Sequence, residues 1–170
     1  MAISEGQRLP AATLLKVVPG DVETVDMASY TQGRKVVVFA VPGAYTPTCH
    51  SAHVPSFIRV MEGLKAQGVD EVCCLSVNDP FVMEAWGKDT GATEAGITML
   101  SDAEAVFTKA LGVAFSAAPR GLIDRSQRYA MLVEDGEVKI FHKEEGPGTC
   151  EVSGGEAMLA AIEALGGKAA

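Results

Sequence analysis

The sequence predicts an α/β fold in which helices flank a central mixed β-sheet. Two continuous apolar, β-branched segments have the pattern of strands that are buried on both faces. An amphipathic helix pattern lies between them, and a hairpin pattern follows near the C-terminus. The chain has 170 residues, 48% of them hydrophobic and 21% charged, which is the composition of a globular protein. We expect one domain over residues 1–170.

Residues 35–41 and 72–77 are the two segments predicted as central strands. Residues 51–68 between them place apolar side chains at helical spacing. This pattern ends at Gly68, shortly after Lys65, as is typical of a helix C-terminus. A strand, a helix and a second strand in this order predict a βαβ unit with parallel strands.

The same alternation continues beyond the βαβ unit. Residues 81–87 and 104–111 have helix patterns, and residues 97–100 form a short strand between them. Alternating helices and strands indicate a largely parallel sheet.

The C-terminal part contains the clearest hairpin of the sequence. Residues 129–133 and 138–141 have strand patterns, and Asp135-Gly136 between them supplies the positive φ that a tight turn needs. An amphipathic helix over residues 156–165 follows. A βαβ unit, then a hairpin and a terminal helix, is the element order of a thioredoxin-like sandwich with additions.

The charge and the N-terminus argue against several classes of function. A net charge of −8 opposes binding to nucleic acid or to an anionic membrane surface, so we expect neither as a partner. No segment approaches the roughly 18 consecutive apolar residues of a membrane span. Residues 1–6 contain neither a basic region nor an apolar stretch, and on this basis we expect a cytoplasmic location.

The cysteines limit the redox and metal chemistry that this chain can perform. There are four of them: Cys49, Cys73, Cys74 and Cys150. They include no C-x-x-C pair and no Cys/His spacing suited to a structural zinc site. We therefore expect reduced thiols, of which some can be catalytic. A free cysteine is commonly a small buried hydrophobe, and we expect this of Cys73.

Two histidines follow Cys49 closely, but one helix rarely supplies a complete zinc site. We expect His53 to serve packing and helix geometry rather than proton transfer, and His50 has no assigned role. Trp86 is predicted to pack in or near the core, as a lone aromatic residue on an amphipathic helix usually does.

The segment most informative about function is residues 41–49, where a buried strand meets a turn and a helix begins. If Thr46 is the N-cap, Pro47 takes the first helical position that proline favours, and Cys49 falls in the first turn beside unpaired backbone N–H groups. These donors and the helix dipole lower the pKa of a thiol and stabilise its thiolate. Cys49 is therefore a candidate nucleophile, although spacing alone is equally typical of a buried cysteine at a helix start.

A thiolate that attacks a peroxide takes up one oxygen and expels a hydroxide or alkoxide, so such a site needs donors for the departing oxygen. Thr46 is placed to supply one. Its alternative role is N-capping alone, and one hydroxyl can donate and accept at once. Pro42 would make the loop rigid.

The residues of this segment resemble a known family. P-G-A-Y-T-P-T-C at residues 42–49 matches the P-x-x-x-T-x-x-C signature of the peroxiredoxins, and with the preceding valine it resembles their type II, or peroxiredoxin-five, branch. The resemblance continues through residues 53–55, 75–79, 81–86 and 125–130, and so covers nearly the whole chain.

This resemblance implies roles for individual residues. Cys49 would be the peroxidatic cysteine, Thr46 and Pro42 would complete its loop, and Arg128 would be the guanidinium that activates thiolate and peroxide. A permanent cation beside Cys49 favours the thiolate, and its fork of donors can also hold a peroxide oxygen. Arg125, three residues earlier, is expected to have a supporting role only.

The activity implied is that of a thiol peroxidase that reduces hydrogen peroxide and alkyl hydroperoxides without metal, haem or flavin. Glutathione with glutaredoxin, or thioredoxin, would be the reductant, and a homodimer is expected by resemblance. Two other functions stay open. A disulfide oxidoreductase typically needs a C-x-x-C pair, whose first position Thr46 occupies here, and a redox-sensing module would signal through oxidation of Cys49.

Two cysteines are candidates to resolve oxidised Cys49. Cys74 shares a strand face with Ser76 and Asn78, which predicts more polar surroundings than those of Cys73, and in the plant type II branch this position can act as the resolving cysteine. Cys150 follows a loop rich in glycine and loosely resembles the resolving cysteine of the animal branch. We expect neither to be indispensable, with external glutathione resolving Cys49 most efficiently.

Overall fold

The computed structural model describes residues 2–146 and 148–169, without the side chains of Cys49 and of residues 167–169. This part of the chain contains nine strands and five α-helices, together with a π-helical turn (Cys49–His53) and a 3-10 turn (Ala118–Arg120). The elements are β1 (Thr13–Val18), β2 (Asp21–Asp26), α1 (Met27–Thr31), β3 (Lys35–Ala40), α2 (Val54–Ala66), β4 (Glu71–Ser76), α3 (Pro80–Thr90), β5 (Thr98–Ser101), α4 (Val106–Ala110), β6 (Ala114–Ala117), β7 (Leu122–Ser126), β8 (Tyr129–Glu134), β9 (Glu137–Lys143) and α5 (Gly155–Ala169).

Within the described residues, seven strands form one mixed sheet in the order β2-β1-β5-β4-β3-β8-β9, and β6 pairs with β7 separately. The pairs β3-β4 and β4-β5 are parallel, and the other neighbours in the sheet are antiparallel. The predicted mixed sheet is confirmed, but the expectation of largely parallel strands is wrong. The reason is that hairpins occupy both edges, and the sequence pattern did not reveal the hairpin β1-β2.

Each face of the sheet carries its own hydrophobic cluster. Helices α2, α3 and α5 cover one face, where Phe39 stacks on Phe57 with ring centroids 4.1 Å apart. Trp86 of α3 is fully buried in the same cluster, as predicted. Helix α4 covers the other face, where Phe107 packs with Val38. Alternate residues of β3 therefore point into the two clusters, which explains why residues 36–40 of this strand are all apolar.

The predicted βαβ unit and hairpin are confirmed. The hairpin turns at Asp135 (φ 48°) and Gly136 (φ 78°), the two positive values that a type I′ turn requires. Helix α4 is shorter than the predicted 104–111 because Ala105 is left-handed (φ 59°), a conformation that does not continue a right-handed helix. Among the described helices, none has the length and apolar character needed to cross a membrane.

The candidate site lies where β3 ends. The N–H of Val41 donates to the carbonyl of Leu75 over 3.0 Å, so the turn after β3 stays beside the end of β4. Sites of α/β sheets commonly lie at the carboxyl ends of parallel strands, because the connecting turns meet there.

Candidate active site

The helix that carries Cys49 begins where its residue pattern predicts. Pro47 is the first helical residue and directly follows Thr46, whose carbonyl accepts from the N–H of His50 at 3.0 Å. Cys49 is the third helical residue and opens the π-helical turn that leads into α2. A π-helical turn widens the helix and is frequent at functional sites. The Cys49 side chain lies outside the described part, so the structure locates its backbone only.

Thr46 closes the turn in front of the helix. Its hydroxyl donates to the carbonyl of Gly43 over 2.7 Å, which fixes the side-chain rotamer. The oxygen of a hydroxyl that donates one hydrogen bond can still accept others. Thr46 is therefore held in a defined position at the helix start.

The turn is also attached to neighbouring elements. The Oδ1 atom of Asn78, just beyond β4, accepts from the N–H of Ala44 at 3.0 Å and from the hydroxyl of Ser76 at 2.6 Å. Tyr45 has a positive φ of 64°, and its hydroxyl donates to Asp89 of α3 over 2.6 Å. Such backbone strain persists where surrounding contacts over-determine the conformation. These contacts therefore hold the turn in the shape that places the helix start.

Arg128 and His53 form a hydrogen bond in the interior of the protein. The guanidinium NH1 of Arg128, whose side chain is almost fully buried, lies 3.1 Å from Nδ1 of His53. On the other side of the ring, Nε2 lies 2.9 Å from the carbonyl of Ser153. Since a carbonyl only accepts, Nε2 carries the proton, and Nδ1 accepts from Arg128.

The protonation state of His53 agrees with this arrangement. Burial, followed by the positive charge of Arg128, lowers the pKa of His53 to about 3. The ring is therefore neutral near pH 7 and accepts from the guanidinium without opposing its charge. We predicted only packing for His53. Its contact with Arg128 joins residues 75 positions apart, and no local pattern reveals such a contact.

A cavity of about 300 Å³ opens in front of the helix start. Three of the predicted site residues line it, namely Pro42, Thr46 and Arg128. Arg120 and Leu122, which the residue pattern did not single out, line it as well. The structure thus brings Pro42, Thr46 and Arg128 together around one opening in front of the helix start that contains Cys49.

Arg125 does not line this cavity. Its NH1 donates weakly to the carbonyl of Pro42 over 3.4 Å. A Cβ atom added at Gly43 would lie 2.9 Å from the same nitrogen, so Arg125 packs directly against the turn. This position is consistent with the supporting role that we predicted.

Glu144 holds the loop that carries Cys150. Its Oε1 accepts from the N–H of Glu151 at 2.6 Å and from the N–H and hydroxyl of Ser153 at 2.9 and 3.1 Å. Burial alone would raise the pKa of Glu144, but these hydrogen bonds hold it below its ordinary value. The carboxylate therefore fixes Ser153, whose carbonyl accepts from His53. Cys150 itself is partly exposed.

The two cysteines of β4 are both fully buried. Burial raises the pKa of Cys73 to about 12, which makes it unreactive and confirms its expected role as a small buried hydrophobe. Cys74 points to the opposite face, into the cluster that contains Phe39 and Trp86. The prediction of polar surroundings for Cys74 is wrong, because Asn78 lies beyond the strand end and turns toward the active-site loop.

His50 has a partner outside its own helix. Its Nδ1 accepts from the indole N–H of Trp86 over 3.1 Å, which links the first turn after Cys49 to α3. Among the described side chains, no group of three or more His, Cys, Asp or Glu residues is arranged to hold a metal ion.

Comparisons with known proteins agree with this geometry. The family model described as Redoxin matches residues 4–159. "Peroxiredoxin-2E-2, chloroplastic" of Oryza sativa subsp. japonica is 48% identical over 164 residues, covering 94% of this chain and 72% of that protein. "Peroxiredoxin-2E, chloroplastic" of Arabidopsis thaliana is 47% identical over 165 residues, covering 95% and 70%. Reduced Prx3 of Vibrio vulnificus in complex with hydrogen peroxide is similar with a TM-score of 0.88 and 46% identity, covering 95% and 96% of the two chains.

The fold is thioredoxin-like, as predicted, and together with these relatives it defines a thiol-dependent peroxidase. The chain belongs to the redoxin family and, within it, to the type II peroxiredoxins. Membership implies an antioxidant oxidoreductase that acts on peroxides and is recycled by a thiol reductant.

The cytoplasmic location that we expected from residues 1–6 is contradicted by these relatives, because the two plant proteins are named as chloroplastic. This chain spans 72% and 70% of their lengths, so part of each relative lies outside the matched region. Transit segments are separate from the folded domain. The sequence of the domain therefore does not reveal the compartment.

Proposed function

We propose that Cys49 is the peroxidatic nucleophile and that it reduces both hydrogen peroxide and alkyl hydroperoxides. The observation that carries this proposal is the cavity lined by Thr46 and Arg128 in front of the helix start that contains Cys49. The thiolate attacks one peroxide oxygen, the O–O bond breaks, and Cys49 becomes a sulfenic acid. The departing hydroxide or alkoxide takes up a proton and leaves as water or an alcohol.

Arg128 supplies the positive charge of this step. A buried guanidinium stabilises the thiolate before attack, and its donors stabilise the charge that develops on the departing oxygen. The neutral ring of His53 accepts a hydrogen bond from a guanidinium nitrogen of Arg128. It therefore orients the guanidinium without neutralising its charge. Thr46 and Pro42 complete the opening through which the peroxide enters.

Glutathione with glutaredoxin is the reductant that we propose, in preference to thioredoxin and to an internal disulfide. Cys74 is buried in the hydrophobic cluster that contains Phe39 and Trp86, and a disulfide needs Cα atoms within about 7 Å and suitably directed Cβ atoms. Cys150 lies on a loop fixed by Glu144 and by a hydrogen bond from the Thr48 hydroxyl to the carbonyl of Gly148 (3.2 Å). We infer that glutathione, a small external thiol, reaches oxidised Cys49 through the open cavity.

The oligomeric state and the domain organisation are also part of the proposal. We infer a homodimer of chains that each fold as one domain over residues 1–170, on the basis of the type II resemblance. Sedimentation of the purified protein measures the first, and a single cooperative unfolding transition supports the second.

Peroxide-dependent oxidation of NADPH tests the proposed activity. The assay is coupled in parallel through glutathione with glutaredoxin and through thioredoxin with its reductase, using hydrogen peroxide and cumene hydroperoxide. We expect turnover with both peroxides, faster with glutathione, and none in Cys49→Ser, because a hydroxyl is less acidic and less nucleophilic than a thiol. Turnover that persists in Cys49→Ser would show that another residue is the nucleophile.

A further inference from the structure

Arg120 lies at the cavity but is not among the residues that the proposed reaction uses. It ends the 3-10 turn Ala118–Arg120, between β6 and β7. Gly121 follows with a φ of 72°, and its N–H donates to the carbonyl of Ala118 over 2.9 Å. The backbone of Arg120 is therefore fixed by a closed turn, while its exposed side chain borders the same cavity as Arg128.

The charge at this cavity is opposite to that of the whole chain. The charged side chains among its described lining residues are two arginines, Arg120 and Arg128, whereas the chain carries a net charge of −8. Asp124, on the strand that follows Arg120, forms its ion pair with Lys109 at 3.0 Å. Within the described residues no ion pair involves Arg120, so its guanidinium remains available to an anion in solution.

The cavity is larger than a hydrogen peroxide molecule requires, and part of its wall is apolar. Its volume of about 300 Å³ is roughly ten times the 30 Å³ that one water molecule occupies in the liquid. Pro42, Pro47 and Leu122 contribute apolar surface to its wall. An apolar wall with a cation at the rim fits a molecule that has a hydrocarbon part and a negative charge.

We propose that Arg120 binds the carboxylate of organic hydroperoxides, so that the enzyme prefers hydroperoxides of carboxylic acids, the class that includes fatty-acid hydroperoxides, to uncharged ones. This inference rests on the proposed function of Cys49. The hydroperoxide group lies toward Cys49 and Arg128, the hydrocarbon part lies against the apolar wall, and the carboxylate lies at Arg120. The products are the hydroxy acid and the sulfenic acid of Cys49, with one proton taken up by the departing alkoxide.

The expected size of this preference is modest. An ion pair at an exposed site contributes up to about 1 kcal/mol, which corresponds to a factor of about two to five in kcat/KM. Salt screens such pairs, with a Debye length of about 10 Å at 0.1 M and about 3 Å at 1 M. The preference should therefore decrease as the ionic strength rises.

A matched pair of substrates tests the inference. Cumene hydroperoxide with a para-carboxylate and its methyl ester share the hydroperoxide and the ring but differ in charge. Each is mixed with prereduced protein in the absence of any reductant, and the alcohol formed in a single turnover is measured by rapid quench. Leaving out the reductant removes any effect of Arg120 on glutathione.

The variants are Arg120→Gln, Arg120→Glu and Arg120→Lys, with Arg59→Gln as the control that removes an equal charge outside the cavity. We expect an acid-to-ester rate ratio of about two to five in the unaltered protein, in Arg120→Lys and in Arg59→Gln. The ratio should fall to about one in Arg120→Gln and below one in Arg120→Glu. A ratio that Arg120→Gln leaves unchanged, or a ratio of one in the unaltered protein, overturns the inference. If the unaltered protein reduces neither of these substrates nor hydrogen peroxide, the result contradicts the proposed function of Cys49 rather than the role of Arg120.

Discussion

The guanidinium of Arg128 donates to Nδ1 of His53 over 3.1 Å, and both side chains are buried. The ring of His53 in turn donates to the carbonyl of Ser153, which Glu144 fixes from the other side. The cation next to the helix start is therefore oriented by a chain of hydrogen bonds that runs from the π-helical turn before α2 to the loop before α5. Each connection in this chain gives an expectation about rate or stability.

Replacement of His53 should impair the reaction without removing any group that touches the peroxide. His53→Phe keeps an aromatic ring in contact with Phe39 and Phe57 but offers no acceptor to Arg128. A hydrogen bond to a charged group contributes about 1.5–3 kcal/mol, so we expect the rate of Cys49 oxidation to fall about 10- to 100-fold and the pKa of Cys49 to rise. Stopped-flow oxidation and thiolate absorbance against pH measure the two effects. His53→Gln, which can still accept, should lose less, and equal losses in both variants would argue against an orienting role.

Arg128 should matter more than Arg125. Arg128→Ala removes the buried cation among the two arginines that line the cavity, and loss of one such charge-stabilising group typically costs about 10²- to 10³-fold in rate. The pKa of Cys49 should rise in the same variant. Arg125→Ala should cause a smaller loss, because Arg125 contacts the turn at Pro42 and does not line the cavity. If titration and rate are unchanged in Arg128→Ala, the activating cation is a different residue.

His53 and Glu144 predict how stability depends on pH. The folded state holds the pKa of His53 at about 3, well below its ordinary value of 6.5, so the unfolded chain binds more protons between these values. Stability should therefore fall as the pH drops from about 6.5 toward 3, by up to about 1.4 kcal/mol per pH unit for one proton. The pKa of Glu144 is lowered in the folded state. The stability that its carboxylate contributes is therefore lost only at more acid pH, below its ordinary pKa of 4.5.

Urea unfolding between pH 7 and pH 4 measures this dependence. His53→Gln removes the histidine and should flatten the curve between pH 6.5 and 5, while Glu144→Gln should leave that part of the curve steep. A slope that persists in His53→Gln would show that another group causes it.

The residues that the sequence predicted correctly are those whose placement depends on local chemistry. Thr46, Pro47 and Cys49 occupy the helix start because N-cap and proline preferences act within one turn of helix. Asp135-Gly136 likewise specifies a turn by itself. His53 contacts Arg128, 75 positions away, and Arg120 meets the cavity only once the chain has folded, so no spacing rule identifies either residue.

The misassigned features have similar causes. The hairpin β1-β2 is half-exposed and alternates weakly, so it lacks the continuous apolar pattern that identified β3 and β4. The surroundings of Cys74 were misjudged because a shared strand face was extended to Asn78, past the end of β4, where the chain no longer follows strand geometry.

The last prediction concerns how the sulfenic acid of Cys49 is resolved. After one equivalent of peroxide, mass spectrometry should find Cys49 joined to glutathione when glutathione is present, and no quantitative protein disulfide. The physical reason is that Cys74 is buried in the core and that Glu144 and Thr48 hold the loop of Cys150. Cys74→Ser and Cys150→Ser should therefore keep turnover with glutathione and glutaredoxin within about twofold of the unaltered protein, since neither thiol takes part in this route. A quantitative disulfide between Cys49 and either cysteine, lost together with turnover in the corresponding serine variant, would show that this enzyme resolves itself internally.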